Sequence, residues 1–528
     1  MNSRLQTFPT MPQQAREYPF VPPPGLDSRE PSKKVVIVGA GPIGLAMAIE
    51  LANHDIPSVV LDDGKRVSTG SKAICWSKRS LEIFDRLGIG DKALDKGVVW
   101  KVGRTYHRDQ ELFNFDLLPE EGHKYPAFVN LQQYYVEEYL IARAQSLELI
   151  ELRFQNRVKA IQVKRDSASI DISTPVGEYQ LVTDYLIACD GVRSTVRRQL
   201  GLDFVGELFE ERFLIADIEM HQDFPPERRF WFEPVFHEGQ SALLHKQPDN
   251  IYRIDLQLGW DADPELEKQP ERVTPRIGKV VGTSDFKIDW VSVYTFQCRR
   301  LERFVHGRVI FAGDSAHVVS PFGARGGNGG LQDVDNLGWK LAAIIKGRSP
   351  ESLLETYNDE RVYASDENIA HSTRTTKFMT PSDGVERMFR DQLFKLTRVA
   401  SFARNWINPG RLSVPAIYPG FKDQAPELPL ISRPGSVAPD ALLDDCTWLL
   451  DKFRKYVVLL GINTEVPEMD GLRRVCLKAN EFIRTRYLGE NDRAIYLIRP
   501  DQVVANRWLE ANPTLIRHEI NRIWGLNQ

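Results

Sequence analysis

The stretch of sequence that decides the fold is KVVIVGAGPIGLAMAIELANH, residues Lys34–His54. Its first five residues form an apolar, β-branched run of the kind that a parallel sheet buries, and IGLAMAIELANH has its apolar residues at helical spacing. SVVLD, residues Ser58–Asp62, has the composition of a second buried strand. The stretch therefore predicts a strand–helix–strand unit at the start of a parallel α/β sheet.

A GxGxxG motif, Gly39 to Gly44, connects the predicted strand to the predicted helix. In this context the first glycine, Gly39, permits a tight turn, Gly41 lets the backbone approach a pyrophosphate, and Gly44 lets helix and strand pack closely. The N-terminus of the helix offers free N–H groups to the phosphates. Asp62 follows Gly44 by 18 residues and ends the second strand, where it can bind a ribose. The pattern predicts a dinucleotide site.

Two further glycine loops follow predicted strands. Asp190-Gly191-Val192-Arg193-Ser194 comes after YLIAC, and Gly313-Asp314-Ser315-Ala316-His317 comes after RVIFA. A helical pattern with apolar residues three and four apart follows the second loop, and we expect that helix to begin near Gly330. Its free N–H groups would favour negative charge at the end of a bound ligand.

With GxGxxG, DG and GD motifs in this order, the sequence from about residue 33 resembles the group A FAD-dependent aromatic monooxygenases. Its segment GDSAHVVSPFGARGGNGGLQDVDNLGWKL is similar to the GDAAHxxPPxGGxGxNxGxxDAxNLxWKL of that family. Ser320 replaces a proline and Ala324 a glycine of the family pattern. The final hundred residues resemble the thioredoxin-like domain of the phenol hydroxylase and 3-(3-hydroxyphenyl)propionate hydroxylase branch, as seen in RPGSVAPDA and YLIRPDQVVANRW.

The resemblance implies roles for several residues around FAD. Asp314 of the GD motif, with Gly313, would bind the ribitol, and Asp190 with Gly191 would lie near the pyrophosphate and the nicotinamide cofactor. The other residues with implied flavin contacts are Gln133, Pro321 beside the reactive face of the ring, and Gly326 with Asn328 at its pyrimidine end. Lys72 stands where the family places a phosphate-binding arginine, and Arg79 is an alternative phosphate ligand.

We expect an α/β protein with a Rossmann-type FAD-binding domain, an inserted antiparallel-sheet substrate domain and a C-terminal thioredoxin-like domain. An extended, proline-rich arm occupies residues 1–32. The predicted boundaries of the later parts are 33–99, 130–203 and 298–370 for the FAD-binding domain, 100–129 and 204–297 for the substrate domain, 371–425 for a helical connection and 426–528 for the C-terminal domain.

The implied reaction is hydroxylation of a phenolic substrate. NADPH or NADH would reduce FAD, O2 would add at flavin C4a, and the hydroperoxide would transfer oxygen to an electron-rich ring in a pocket that excludes water. Because a free phenol has a pKa near 10, the site needs a base or a positive field that favours phenolate. The candidate substrate residues are Trp231, His245, Tyr252 and Arg253. No catalytic base is assigned.

Composition limits the other classes of function. The net charge of −4 gives no indication of a basic surface that would bind nucleic acid. The five cysteines lie far apart and do not have the spacing of metal ligands. No apolar run is long enough for a membrane span. We expect a cytoplasmic homodimer that acts on a small aromatic molecule. A Baeyer–Villiger oxygenase or epoxidase that acts on a polyketide-like substrate, and a non-enzymatic flavin-binding protein, remain as alternatives.

Overall fold

A computed structural model of the chain describes residues 16–68, 72–222, 224–379, 381, 384–405, 407 and 412–526. The strands in chain order are β1 (Lys33–Val38), β2 (Ser58–Leu61), β3 (Cys75–Ser77), β4 (Val98–Trp100), β5 (Val102–His107), β6 (Gln110–Asp116), β7 (Phe128–Asn130), β8 (Ile150–Arg153), β9 (Arg157–Val163), β10 (Ala168–Thr174), β11 (Gly177–Ala188), β12 (Val205–Glu219), β13 (Arg228–Phe232), β14 (Ser241–Lys246), β15 (Ile251–Gly259), β16 (Lys287–Arg300), β17 (Val305–His306), β18 (Val309–Phe311), β19 (His317–Val318), β20 (Val458–Ile462), β21 (Arg473–Leu477), β22 (Ala494–Ile498) and β23 (Val504–Trp508).

Thirteen α-helices lie in the described part of the chain. They are α1 (Pro42–Asn53), α2 (Lys78–Leu87), α3 (Gly90–Lys96), α4 (Gln133–Gln145), α5 (Thr195–Gln199), α6 (Pro264–Glu267), α7 (Pro270–Val281), α8 (Gly326–Ile345), α9 (Leu353–Met379), α10 (Gly384–Thr397), α11 (Leu449–Phe453), α12 (Glu481–Ile483) and α13 (Pro513–Ile523). None of the helices that the structure describes has both the length and the apolar character needed to cross a membrane.

The first sheet has the predicted Rossmann-type architecture. Strands β18, β11, β1, β2 and β8 are parallel neighbours in that order, and β9 and β10 extend the sheet from β11 in antiparallel pairing. The chain leaves β1 for β2 on one side and returns to β11 on the other. Ligands of such sheets bind outside the carboxyl ends of the strands where the order reverses, which here is between β1 and β11.

The second sheet has eight strands in the order β19-β16-β12-β15-β14-β13-β5-β6. One face packs on α7 through an apolar core that includes Leu214, Ile254 and Val273. The other, which we call the inner face, carries Phe213, Phe230 and Leu243 together with residues of α9 and α10. Contacts between the inner face and the loop at Lys72 connect this sheet to the first one.

The C-terminal region forms a separate four-stranded sheet in the order β21-β20-β22-β23, with one parallel and two antiparallel pairs. This arrangement agrees with the predicted thioredoxin-like domain. At the other end of the chain, Tyr18 of the predicted arm stacks on Phe154 with ring centroids 4.7 Å apart, and Glu30 pairs with Arg153 at 2.7 Å. Residues 1–15 of the arm lie outside the described residues.

The helix after the GD motif begins earlier than expected. It starts at Gly326 rather than near Gly330, because the N–H of Gly329 already donates to the carbonyl of Arg325 at 2.7 Å. The apolar residues of the helical pattern, Leu331, Val334, Leu337, Leu341 and Ile344, are all buried, as the spacing predicts.

Candidate active site

Four of the sequence motifs meet along one edge of the first sheet. The backbone pairing continues to the strand ends, where Gly39 N–H donates to Leu61, Cys189 N–H to Val38 and Ala312 N–H to Ala188, at 2.7 to 3.0 Å. Neighbouring strands lie about 4.8 Å apart, so the four loops that follow β18, β11, β1 and β2 form one row. The structure thereby brings together the GD motif, the DG motif, the GxGxxG loop and Asp62.

The three glycines of the GxGxxG loop have two different roles. Two of them are required by close packing, and the third faces open space. Gly39 has φ +105°, and a Cβ there would lie 2.4 Å from the carbonyl oxygen of Cys189. A Cβ at Gly44 would lie 1.9 Å from the carbonyl oxygen of Gly39. At Gly41, by contrast, a Cβ would have none of the described atoms within 4 Å. The backbone at Gly41 and the uncapped start of α1 therefore fit the approach of a pyrophosphate.

Asp62 closes one end of this row. Its carboxylate accepts hydrogen bonds from the N–H groups of Ala40 and Gly64, both at 2.7 Å. Burial raises the pKa of Asp62. The side chain is thus held against the glycine loop, in the position expected for a ribose-binding acid.

The carboxylate of Asp190 faces the N-terminus of the short helix α5, whose N-cap residue is Ser194. One carboxylate oxygen accepts hydrogen bonds from Thr195 N–H at 2.7 Å and Val196 N–H at 3.1 Å, whereas the other, Oδ1, is buried and has no partner among the described residues. Burial also raises the pKa of this carboxyl. Gly191 has φ +75°, which favours glycine. A buried acceptor without a partner is costly in a protein interior, so Oδ1 of Asp190 fits a ligand hydroxyl or a bound water.

Arg197 connects the DG and GD loops, and the sequence reasoning missed it. Its guanidinium donates to the carbonyl of Ser315 at 3.1 Å and to that of Val192 at 2.6 Å, and it lies 3.9 Å from the ring centroid of Phe204. The only sequence signal was an arginine six residues after the DG glycine, followed directly by a second arginine, Arg198. This residue holds the two loops in register.

The GD loop rests on a buried ion cluster. Asp333 of α8 accepts hydrogen bonds from the N–H of Gly313 at 2.9 Å, from His317 Nε2 at 2.7 Å and from Arg361 Nε at 2.6 Å. Asp314 itself accepts no hydrogen bond from the residues that the structure describes, and solvent reaches it. Protein nevertheless surrounds this carboxylate, and burial raises its pKa. Asp314 therefore lies in the wall of a deep cleft, as a ribitol ligand would.

The loop from Pro321 to Asn328 borders the same cleft. Pro321 is exposed, and a Cβ at Gly326 would lie 3.9 Å from an oxygen of Asp314. Asn328 holds the loop in place, because it accepts from Ser77 N–H at 2.9 Å and donates to the carbonyl of Cys75 at 2.9 Å. The side chain of Asn328 thus fixes the loop, and its own contact with a flavin remains a prediction.

Gln133 contacts the residue that follows Lys72. Gln133 accepts a hydrogen bond from Ala73 N–H at 3.1 Å and donates to Glu137 at 2.7 Å. Lys72 is exposed, and its ammonium opposes the effect of burial on the pKa of both Asp62 and Asp314. Lys72 therefore supplies positive charge that acts on both acids, as a phosphate site would need.

Arg79 is not available as a phosphate ligand, so that alternative is wrong. Its guanidinium is buried and donates to Asp335 at 2.6 Å, to Glu82 at 3.0 Å and to Gln502 of the C-terminal sheet region at 2.6 Å. Arg79 thus connects α2 to the C-terminal domain.

Two of the four candidate substrate residues lie on the inner face of the second sheet. His245 of β14 is opposite Arg253 of β15 in the strand pairing. Arg253 donates to Asp217 at 2.9 Å and to the carbonyl of Lys72 at 3.0 Å. His245 is buried, its Nδ1 has no partner among the described residues, and its ring packs against Trp100.

The structure does not bring Trp231 and Tyr252 to the inner face. Trp231 pairs with Ala242 and packs with the core on α7, where it also stacks on Tyr106 with centroids 5.3 Å apart. Tyr252 belongs to the same core, and its hydroxyl donates to the carbonyl of Gln222 at 2.9 Å. Because side chains alternate along a strand, Tyr252 and Arg253 point to opposite faces. These two residues therefore pack the far side of the sheet.

The inner face also carries Arg228 and Asp255, and Cys75 of β3 lies near both; the sequence reasoning selected none of the three. Arg228 and Asp255 are buried, and both contribute to the electrostatic environment of the Cys75 thiol, whose pKa burial raises to about 12. The available signal was the alternation Arg253-Asp255-Gln257 against Tyr252-Ile254-Leu256. Polar residues on one face of a buried strand are an informative exception to an apolar core.

Comparisons with known proteins agree with this geometry. A model of the FAD-binding domain family matches residues 32–372. The chain is 31% identical over 456 residues to a flavin-dependent monooxygenase of Mycobacteroides abscessus, which covers 82% of this chain and 89% of the relative. It is 26% identical over 375 residues to a 3-(3-hydroxy-phenyl)propionate/3-hydroxycinnamic acid hydroxylase of Mycolicibacterium smegmatis, which covers 71% of this chain and 66% of that one.

A solved structure, the OxyS anhydrotetracycline hydroxylase from Streptomyces rimosus, superposes with a TM-score of 0.72 at 26% identity, covering 94% of this chain and 99% of the other. The family model extends over more than half of the chain, and its span contains all four glycine and acid motifs. The chain therefore belongs to the FAD-binding domain family and is a flavin-dependent aromatic monooxygenase.

Proposed function

We propose that the protein hydroxylates a phenolic substrate, with NADPH or NADH as the reductant and O2 as the source of oxygen. The observation that carries this proposal is the polar group on the inner face, with Arg228, His245, Arg253 and Asp255, which stands across from the flavin-binding loops. Arg253 joins the two regions through the carbonyl of Lys72.

The residues of the cleft fit FAD. Gly41 and the start of α1 would receive the pyrophosphate, Asp62 the ribose and Asp314 the ribitol, while Oδ1 of Asp190 would gain a missing hydrogen-bond partner. When bound, FAD accepts a hydride from the nicotinamide cofactor and activates O2 for the transfer of one oxygen atom. The protein supplies binding, orientation and the charge around the substrate.

The inner face favours an ionised, shielded substrate. The guanidinium groups of Arg228 and Arg253 are buried, and charges act more strongly there than in water. A phenol with a pKa near 10 would lose its proton more readily beside them. The neighbouring rings of Phe213, Phe230 and Phe232 are buried and keep water away from this region.

A second candidate function is oxygen insertion or epoxidation on a polyketide-like substrate. It is favoured by the likeness to the anhydrotetracycline hydroxylase, which extends over 94% of this chain, including its C-terminal region. A polycyclic substrate would use the same flavin loops and differ in how much of the inner face it covers.

The test is to purify the protein, measure FAD content, and follow NADH and NADPH oxidation and O2 uptake with phenolic acids, alkylphenols and polycyclic ketones. We expect a phenol to stimulate oxidation and to yield a product that is heavier by one oxygen atom. Stimulation by a polycyclic ketone alone would select the second function. Light scattering on the same preparation tests the predicted homodimer.

A further inference from the structure

The inner face of the second sheet contains a cluster of polar residues within an apolar surface. Its members, which we call the polar cluster, come from four adjacent strands: Asp217 of β12, Arg228 of β13, His245 of β14, and Arg253 and Asp255 of β15. In the strand register Asp217 and His245 both pair with Arg253, and Asp255 pairs with Leu243. All five side chains are buried.

Two atoms of the polar cluster have no hydrogen-bond partner among the described residues, Oδ1 of Asp255 and Nδ1 of His245. Asp255 and His245 are only 9% and 4% exposed, so water cannot readily replace the missing hydrogen bonds of these two atoms. Leaving such groups unpaired costs about 1–3 kcal/mol each. Diagonal neighbours on a sheet lie roughly 7–8 Å apart at their Cα atoms, so one hydroxyl between the two side chains can reach both.

The charges around Asp255 set its proton affinity. Burial raises the pKa of Asp255 to about 7, Arg253 and Arg228 oppose this effect, and Asp217 adds to it. Burial holds the pKa of His245 well below its usual value and raises that of the Cys75 thiol to about 12. Asp255 therefore changes charge near neutral pH, while His245 stays neutral and Cys75 stays protonated. A general base works best with a pKa close to the working pH.

We propose that Asp255 is the general base of the hydroxylation and removes the proton of the substrate's ring hydroxyl. The O–H bond of the phenol breaks, its electron pair stays on the phenolate oxygen, and the proton binds Oδ1 of Asp255. Neutral His245 donates a hydrogen bond from Nδ1 to the phenolate oxygen. Arg228 and Arg253 balance the negative charge of the phenolate. This assignment rests on the proposed phenolic substrate.

The sign of the pH dependence follows from the raised pKa. Below about pH 7 the Asp255 carboxyl is protonated and cannot accept a proton, so kcat/KM for a phenol rises as the pH increases through about 7. Without the carboxylate, activity depends on ionisation of the phenol itself, near pH 10.

The experiment compares the wild-type holoenzyme with Asp255→Asn, Asp255→Glu and His245→Gln, each checked for FAD content. The control is Asp171→Asn, the same change on β10, where Asp171 only accepts a hydrogen bond from Gln180 at the surface. With the best phenol, we expect D255N to reduce kcat/KM at pH 8 by about 100-fold or more and to lose the rise near pH 7. D255E should restore part of the rise in kcat/KM near pH 7. H245Q should lower the rate but keep that rise, and D171N should match the wild type.

A D255N enzyme with FAD and an unchanged pH profile would overturn the assignment of the base. If D255N does not bind FAD, the pH profiles of kcat/KM for the wild type and D255E test the assignment instead. A wild-type profile without a rise near pH 7 also overturns the assignment of Asp255 as the base. Absence of turnover with every phenol, in wild type as well, would instead overturn the proposed function on which the assignment rests.

Discussion

The flavin-binding loops and the polar cluster are built in opposite ways. In the loops, each acid follows its own strand, and Asp62 and Asp190 are held by backbone N–H groups within a few residues or on the neighbouring loop. In the polar cluster, one or two polar residues come from each of four strands, and their properties arise from the pairing of β12, β13, β14 and β15. The nucleotide site that we propose therefore depends on local sequence, whereas the proposed substrate site depends on the assembled sheet.

The largest effect should come from the folding glycine of the GxGxxG loop. In Gly44→Ala the new Cβ would meet the carbonyl oxygen of Gly39 at 1.9 Å, so we expect loss of FAD together with a strong loss of stability. In the matched variant Gly41→Ala the Cβ has open space, so the protein should fold and lose FAD. Thermal unfolding and flavin absorbance separate the two. If the G44A protein were as stable as G41A, the conclusion that Gly44 is required for folding and Gly41 is not would be wrong.

The next effect concerns the polar cluster. Arg253→Met leaves the carboxylate of Asp217 buried without its ion partner, and breaking a buried pair costs about 3–5 kcal/mol. The control Arg300→Met breaks the more exposed pair with Asp366, which should cost less than about 1 kcal/mol. Urea unfolding measures both. Equal losses would show that burial does not distinguish the polar cluster from the surface.

Asp314 gives a smaller effect that is specific for the flavin. Because no described residue donates a hydrogen bond to Asp314, Asp314→Ala should leave the free energy of unfolding of the apoprotein nearly unchanged. Loss of a charged hydrogen bond to the ribitol costs about 1.5–3 kcal/mol, which corresponds to roughly 10- to 100-fold weaker FAD binding. Fluorescence titration with FAD measures this change. Normal flavin affinity in D314A would remove Asp314 from the site.

The smallest effect is a gain in stability at Ala324. This residue has φ +52°, the left-handed region, where a side chain costs about 1–2 kcal/mol. Ala324→Gly should stabilise the protein by about 0.5–1 kcal/mol after the entropy of glycine is counted. Ala342→Gly, within α8, should destabilise it by about 1 kcal/mol. Thermal unfolding of both variants checks the opposite signs, and destabilisation by A324G would be the contrary result.

The sequence was most informative where a residue type and its local geometry determine each other. Gly39, Gly44 and Asp62 were foreseen because a turn, a close approach and a strand end each demand that type of residue. The inner face was harder, because IYRIDLQLGW is buried on both sides and its pattern does not tell which side meets the flavin domain. Trp231 and Tyr252 were chosen for their chemistry and pack on α7 instead. Asp255 could not be identified, because its pKa depends on neighbours from other strands.

Arg79 was misjudged for a related reason, since two of its partners, Asp335 and Gln502, lie more than 250 residues further along the chain. On the same turn of α2, Ser80 holds Asn328 of the loop beside the flavin cleft, while Arg79 holds Gln502 and the carbonyl of Asp501. The C-terminal domain is thereby connected through α2 to the loop from Pro321 to Asn328. An enzyme shortened to its FAD-binding and substrate domains would keep its nucleotide motifs but lose the hydrogen bonds that hold Arg79, and with it α2, from the C-terminal side.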